Sequence, residues 1–198
     1  MEKSMGLKST YYFRTPYKPA HRKIIATVVQ YHHNIGYHYN DLAEHCGNMP
    51  LAIKSFLNTL SDLRTLGEVK SICMHGNARS SINNLDLING LDFGELGLTG
   101  DPYKIINHDK ALYLSDSSRC WNCSKYSRWD RVRSEFNYHP SSTFNIIADL
   151  KKGNLPEQLH ICIHPQHYHD HKLRWAAYLL ERFIKNRVKT LYIKRNYA

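Results

Sequence analysis

The chain has 198 residues and a mass of 23.2 kDa, which is enough for one domain with a buried core. Hydrophobic residues make up 42% and charged residues 22%, a composition that excludes a disordered chain. Five cysteines without framework spacing exclude a disulfide scaffold and favour a reducing, cytoplasmic location. No apolar run reaches the roughly 18 residues that a membrane-spanning helix needs, so no membrane partner is expected.

Short β-rich runs alternate with longer amphipathic runs along the chain. The first part predicts strands at 8–13, 34–38 and 68–75, and helices at 22–31 and 50–66. The rest predicts strands at 102–107, 111–115, 159–164 and 191–194, and helices at 144–152 and 172–186. This alternation indicates one α/β domain over 1–198 with a largely parallel sheet. The first six residues are typical of the end of a helix closed by Gly6, so we expect the chain to begin within a βα unit.

Three histidines stand at the carboxyl ends of predicted strands. They are His38, His75 and His164. Ligands of α/β proteins bind at the carboxyl ends of parallel strands, so we expect these side chains on one rim. Imidazole is a common zinc ligand and a capable general acid, which favours metal-assisted hydrolysis. The alternative is that the three histidines only hydrogen-bond to loop backbone.

Other motifs are less specific. Cys120 and Cys123 have the spacing of a zinc or redox pair, but no second such pair accompanies them. His167 and its histidine neighbours are expected in a surface loop before the last helix. The net charge of +10, concentrated in the basic stretch 182–195, suggests either a solvated helix face or a surface for a polyanion such as nucleic acid.

Five segments come in the order found in bacterial polysaccharide deacetylase-like proteins. They are GLKSTYYFR (6–14), NIGYHYNDL (34–42), VKSICMHGNARS (69–80), YLSDSSRCWN (113–122) and ICIHPQHY (161–168). The chain resembles an uncharacterised bacterial branch of this carbohydrate deacetylase superfamily. The resemblance implies a distorted (β/α) barrel of the glycoside hydrolase/deacetylase type, incomplete at the N-terminus because its first strand is missing.

The resemblance also implies a chemistry. Well-studied members of the superfamily hydrolyse N-acetyl groups on carbohydrates with a divalent metal, usually zinc. By position in the motifs, His38 is implied to be a metal ligand, and His164 the catalytic histidine that protonates the leaving amine. His75 lies in a motif of this branch and is our second candidate ligand. An N-acetylated glycan is therefore the expected substrate.

Three more residues are implied to line the substrate groove: Asp116, Arg119 and Trp121. Leu42 stands where the family has another ligand histidine, and the family's two catalytic aspartates lie on the missing strand. We therefore expect an incomplete zinc site and weak or absent activity. The alternatives are a non-catalytic carbohydrate-binding protein and a basic nucleic-acid-binding module, for which no recognisable motif is present. The open sheet edge would favour self-association.

Overall fold

The computed structural model describes residues 2–14, 18–77, 80–122, 129 and 132–197. The chain divides into two compact units, Met1–Ile105 and Ile106–Ala198. The expected barrel is wrong, because the described strands form two separate parallel sheets, one of three strands and one of two. Among the described residues, no helix combines the length and the apolar character that crossing a membrane requires.

The first unit is built around the three-stranded sheet. Its elements, in chain order, are β1 (Thr10–Phe13), α1 (Pro19–Gln30), β2 (Asn34–Tyr39), α2 (Asp41–Glu44), α3 (Met49–Arg64), β3 (Val69–Met74) and α4 (Pro102–Ile105), with 3-10 turns at Lys3–Met5 and Asn84–Gly90. The strand order is β1-β2-β3, and both pairs are parallel. Parallel neighbours need crossover connections, and α1 and α3 lie in those connections.

The core of the first unit lies between α3 and the sheet. The buried face of α3 consists of Ala52, Phe56, Thr59, Leu60 and Leu63. The ring of Phe56 lies 5.2 Å from that of Tyr37 and 5.8 Å from that of Tyr39, measured between centroids. The helix begins at Asn48, whose side chain caps its first turn. The apolar stripe that predicts this helix is therefore also the stripe that anchors it to β2.

A buried carboxylate explains why the sheet does not continue past β3. Asp101 is fully buried, and its side chain accepts hydrogen bonds from the Tyr39 hydroxyl, the Met74 N–H and the Tyr103 N–H, each at 2.9 Å. An aspartate followed by proline is a helix start signal, so the segment predicted as a strand forms α4 instead. Within the described part of the first unit, the sheet is extended beyond β3 only by the isolated bridge between Ser71 and Gly100. A barrel needs every strand paired on both sides, and this pairing ends here.

The second unit contains a two-stranded parallel sheet and two longer helices. Its elements are β4 (Ala111–Ser115), α5 (Thr143–Lys151), β5 (Gln158–Cys162) and α6 (Lys172–Tyr197), with 3-10 turns at Ser117–Arg119 and Pro165–His167. Its small core consists of Leu112, Leu114 and Ile146, against which lie Trp121, Phe136, Tyr138, Leu155 and Leu159.

The last helix is longer than the sequence pattern predicts. Residues 191–194, predicted as a strand, continue α6. The Thr190 hydroxyl donates to the Asn186 carbonyl at 2.9 Å, one turn earlier in the same helix. The helix penalty of β-branched residues is only a few tenths of a kcal/mol each, so a helix already under way continues through them.

Candidate active site

The two strands of the second unit bring a carboxylate and a histidine together. Asp116 directly follows β4, and His164 comes two residues after β5. The strands are parallel, with Ser115 opposite Cys162, so both strands end at the same edge of the sheet. The backbone N–H of Asp116 donates to the Cys162 carbonyl at 3.2 Å and continues the pairing by one residue. The sheet register therefore fixes the relative position of the two side chains.

The contact between Asp116 and His164 is close and well oriented. The Nδ1 atom of His164 lies 2.6 Å from Oδ1 of Asp116, and the His164 backbone N–H donates to the same carboxylate at 3.0 and 3.2 Å. A carboxylate oxygen accepts, so the imidazole proton is on Nδ1. In the neutral ring, Nε2 then carries the lone pair.

The environment of the pair suits proton transfer. The Asp116 side chain is 7% exposed, whereas that of His164 is 28% exposed. A buried carboxylate behind a partly accessible imidazole holds the ring in one orientation and stabilises its protonated form. The Tyr168 hydroxyl also donates to Asp116, at 3.3 Å, and burial raises the pKa of Tyr168, so it stays a donor at neutral pH. His164 can therefore act as a general acid–base.

A second histidine completes a group with metal-binding geometry. Asp116, His164 and His167 each offer a ligand atom within 4.8 Å of the others. His167 is buried, and its Nδ1 lies 2.6 Å from the Tyr178 hydroxyl. Burial lowers the pKa of His167, so its ring is neutral at pH 7, as a metal ligand must be. This group could hold a metal ion.

Arg119 lies beside the same cluster. It ends the 3-10 turn that follows Asp116 and has a φ of 60°, an uncommon value outside glycine. Its guanidinium carbon lies 5.5 Å from the centroid of the Trp175 ring and 6.0 Å from that of Tyr178. These ring contacts hold the predicted substrate residue against α6.

Trp121 has a different environment from Arg119. Its indole packs against the core of Leu112, Leu114 and Ile146, and its N–H donates to the Thr143 hydroxyl at 3.0 Å. The structure thus gives Trp121 a packing role, and its contact with a substrate stays a prediction. The cysteine pair of the sequence analysis cannot be placed, because Cys123 lies outside the described residues.

The two predicted metal ligands of the first unit lie side by side. His38 is on β2, opposite Cys73, and His75 follows β3. His75 Nδ1 lies 3.2 Å from His38 Nε2, and His38 Nδ1 lies 3.0 Å from the Cys73 carbonyl oxygen. Two nitrogens on one tetrahedral zinc lie about 3.3 Å apart, so the spacing suits a shared metal as well as a hydrogen bond. Their role as metal ligands stays a prediction.

One member of the three-ligand group, His167, was not among the site residues predicted from the sequence. His167 was expected in a surface loop, but the structure buries it. It comes three residues after His164, and the residues between them form a 3-10 turn. Side chains three residues apart in such a turn lie on one face, so the H-P-Q-H spacing could have predicted that His167 lies beside His164.

Comparison of the chain with protein-family models, curated proteins and solved structures gave no match.

Proposed function

We propose that the second unit is a hydrolase in which His164 transfers protons and Asp116 holds its ring. The observation that supports this most directly is the 2.6 Å contact between Asp116 Oδ1 and His164 Nδ1. The motif resemblance to polysaccharide deacetylase-like proteins supplies the substrate class, an N-acetylated carbohydrate. Arg119 comes three residues after Asp116, and its backbone N–H donates to the Asp116 carbonyl at 2.8 Å, so we place it as the residue that binds a sugar substituent.

The proposed reaction is hydrolysis of an amide bond. His164 Nε2 takes a proton from a water molecule as its oxygen bonds to the acetyl carbonyl carbon. The same imidazole returns that proton to the amide nitrogen as the C–N bond breaks, which releases the free amine of the sugar and acetic acid, which ionises to acetate at neutral pH. Asp116 stabilises the imidazolium that exists between the two steps. General acid–base catalysis of this kind contributes roughly 10²- to 10⁴-fold, so a slow enzyme is expected.

A second candidate is a metal centre formed by the same residues. The ligand atoms of Asp116, His164 and His167 lie within 4.8 Å of one another, and one carboxylate with two imidazoles suits zinc. A bound divalent metal would lower the pKa of water and polarise the acetyl oxygen. His164 would then be a ligand and not a proton carrier. Removal of metal should therefore abolish acetate release by the metal centre and leave acetate release by the His164–Asp116 pair unchanged.

Release of acetate from N-acetylglucosamine oligosaccharides tests both candidates. We expect slow release by the purified protein in the presence of a chelator, lost in His164→Gln and kept in His171→Gln. His171 is an exposed histidine of the same loop and serves as the matched control. Release that needs added zinc would favour the metal centre. No release with or without zinc, together with glycan binding, would overturn the hydrolase and leave a carbohydrate-binding protein.

A further inference from the structure

Buried polar atoms without partners are concentrated at one place in the second unit. Within the described residues, three buried side-chain nitrogens have no hydrogen-bond partner: Arg119 Nη1, His167 Nε2 and Arg182 Nε. Buried polar groups are nearly always satisfied, and an unsatisfied one costs about 1–3 kcal/mol, more when it is charged. All three residues contact the ring of Tyr178, so this part of the second unit is a place where a hydrogen-bond acceptor would be favourable.

The three residues surround the ring of Tyr178. The guanidinium carbons of Arg119 and Arg182 lie 6.0 and 5.8 Å from its centroid. The His167 ring lies 5.9 Å from it and is hydrogen-bonded to the Tyr178 hydroxyl. Arg119 comes from the loop after β4, His167 from the turn after β5, and Arg182 from α6, so three segments converge here.

The charge of this cluster is positive and not balanced by a carboxylate ion pair. Among the ion pairs of the described residues, neither Arg119 nor Arg182 has an acidic partner. The Asp116 carboxylate already accepts hydrogen bonds from His164 and Tyr168. Buried guanidinium groups normally pair with carboxylate or phosphate oxygens, often through two parallel hydrogen bonds.

The hydrogen bond at Tyr178 indicates what kind of group these nitrogens would bind. The Tyr178 hydroxyl lies 2.6 Å from His167 Nδ1. When the hydroxyl donates to Nδ1, the ring proton of His167 is on Nε2. All three unpartnered nitrogens are then donors, and an oxyanion is a group that accepts hydrogen bonds from such donors.

We infer that Arg119, Arg182 and His167 bind an anionic oxygen group, a carboxylate or a phosphate, carried by the substrate. This inference rests on the proposed function and adds that an N-acetylated carbohydrate with an acidic group is a better substrate than a neutral one. The anion would lie beside His164, because His167 and His164 belong to the same turn and their rings lie 5.5 Å apart. Neutral sugars would lack the group that satisfies the two arginines.

Calorimetric titration with glucuronate, glucose 6-phosphate and glucose tests the inference, first with a chelator present and then with added zinc in its place. We expect binding of one or both acidic sugars and no binding of glucose. Arg182→Gln should weaken that binding about 10- to 100-fold, the usual effect of losing a charge-assisted hydrogen bond. Preference between the two acidic sugars would identify the anion as carboxylate or phosphate.

Arg187→Gln is the matched control. Arg187 is an exposed arginine of the same helix, and its guanidinium lies over the Phe183 ring, 5.2 Å from the centroid. Its loss removes the same charge and should leave binding unchanged. Equal weakening by both variants, equal binding of glucose, or binding that requires zinc would overturn the inference. If Arg182→Gln does not fold, Arg182→Lys keeps the charge but removes Nε, and it should still weaken binding.

This test does not depend on turnover. Binding of an acidic sugar, together with no acetate release from N-acetylglucosamine oligosaccharides, would overturn the hydrolase and leave the anion site supported. Acetate release from neutral oligosaccharides, with no binding of either acidic sugar, would overturn the anion site and support the hydrolase.

Discussion

Asp116 Oδ1 and His164 Nδ1 lie 2.6 Å apart at the carboxyl ends of two adjacent parallel strands. The carboxylate also accepts the His164 backbone N–H, so the acid fixes both the ring and the loop that carries it. An imidazole held in this way has a defined tautomer, in which Nδ1 carries the proton and donates it to the carboxylate, and Nε2 carries the lone pair.

Asp116→Asn should leave the fold intact and remove most of the activity. The amide is nearly the same size, but it carries no charge to stabilise the imidazolium. We expect the kcat of acetate release to fall roughly 10²- to 10⁴-fold. Steady-state kinetics beside a circular dichroism spectrum of the variant measures both properties. A loss of less than threefold in a folded variant would show that His164 works without the carboxylate.

Asn122 should be important for the stability of the second unit. Its side chain accepts from the Ser115 N–H at 2.9 Å and donates to the Tyr113 and Tyr138 carbonyls at 2.9 and 3.2 Å. Its φ of 50° lies in the left-handed region, which asparagine tolerates better than alanine. Asn122→Ala should lower the free energy of unfolding by about 3 kcal/mol in urea titrations.

Asn122→Gly separates the two contributions at this position. Glycine adopts the positive φ without strain but makes no side-chain hydrogen bonds. We expect Asn122→Gly to lower the free energy of unfolding by about 1 kcal/mol less than Asn122→Ala does. Glycine and alanine variants of equal stability would show that the backbone conformation contributes nothing.

The second unit should lose stability in acid through a histidine pair. His160 Nδ1 lies 3.0 Å from His108 Nε2, and Tyr113 and Asp109 are the neighbouring titratable groups. Burial, and then the charge of His108, lowers the pKa of His160 to about 4 from its usual 6.5. The folded state therefore favours the neutral ring, and stability present above pH 6.5 is lost as the pH falls towards 4.

The expected loss for His160 is about 2 kcal/mol, reduced from the full effect because the ring is partly exposed to solvent. Urea titrations at pH 7 and pH 4 measure it, with His160→Phe as the variant that cannot titrate. The phenylalanine variant should show a smaller drop between the two pH values. An unchanged drop would mean that other groups cause the acid sensitivity.

Removing the Asp101 side chain should destabilise the first unit more than removing any one of its hydrogen-bond partners. Asp101→Ala leaves the buried Tyr39 hydroxyl and the Met74 N–H without an acceptor, which costs about 3 kcal/mol. Tyr39→Phe removes one donor and should cost about 1 kcal/mol. Chemical denaturation of both variants gives the comparison, and a larger loss for Tyr39→Phe would contradict this order.

The strand ends could be predicted from the sequence, because parallel strands place their carboxyl ends together. Apolar runs locate β2, β3, β4 and β5, and the rule for parallel sheets predicts His38, His75 and His164 at or near strand ends. The single rim of three histidines is not shown, because His38 and His75 belong to the first unit's sheet and His164 follows a strand of the second unit. The contact between Asp116 and His164 was not predicted, because the pattern does not show which strands pair.

The rest depends on contacts that sequence pattern does not show. The burial of His167 follows from its hydrogen bond to Tyr178, which lies on a helix eleven residues away in sequence. The strand predicted at 102–107 is wrong, because Asp101 and the following proline start the helix α4 there. Partners such as Arg182 cannot be recognised without the packing of α6, since a basic residue on an amphipathic helix is usually solvated.

The most direct test of the central claim is the tautomer of His164, measured by ¹⁵N NMR of the imidazole ring with and without zinc. We expect the proton on Nδ1, facing Asp116, in the metal-free protein, and resonances that do not change when zinc is added. That result means that Nε2 carries the lone pair that takes the proton from water in hydrolysis. A proton on Nε2, or His164 resonances that shift at one zinc per chain, would contradict the proton-transfer role and assign His164 to a metal centre.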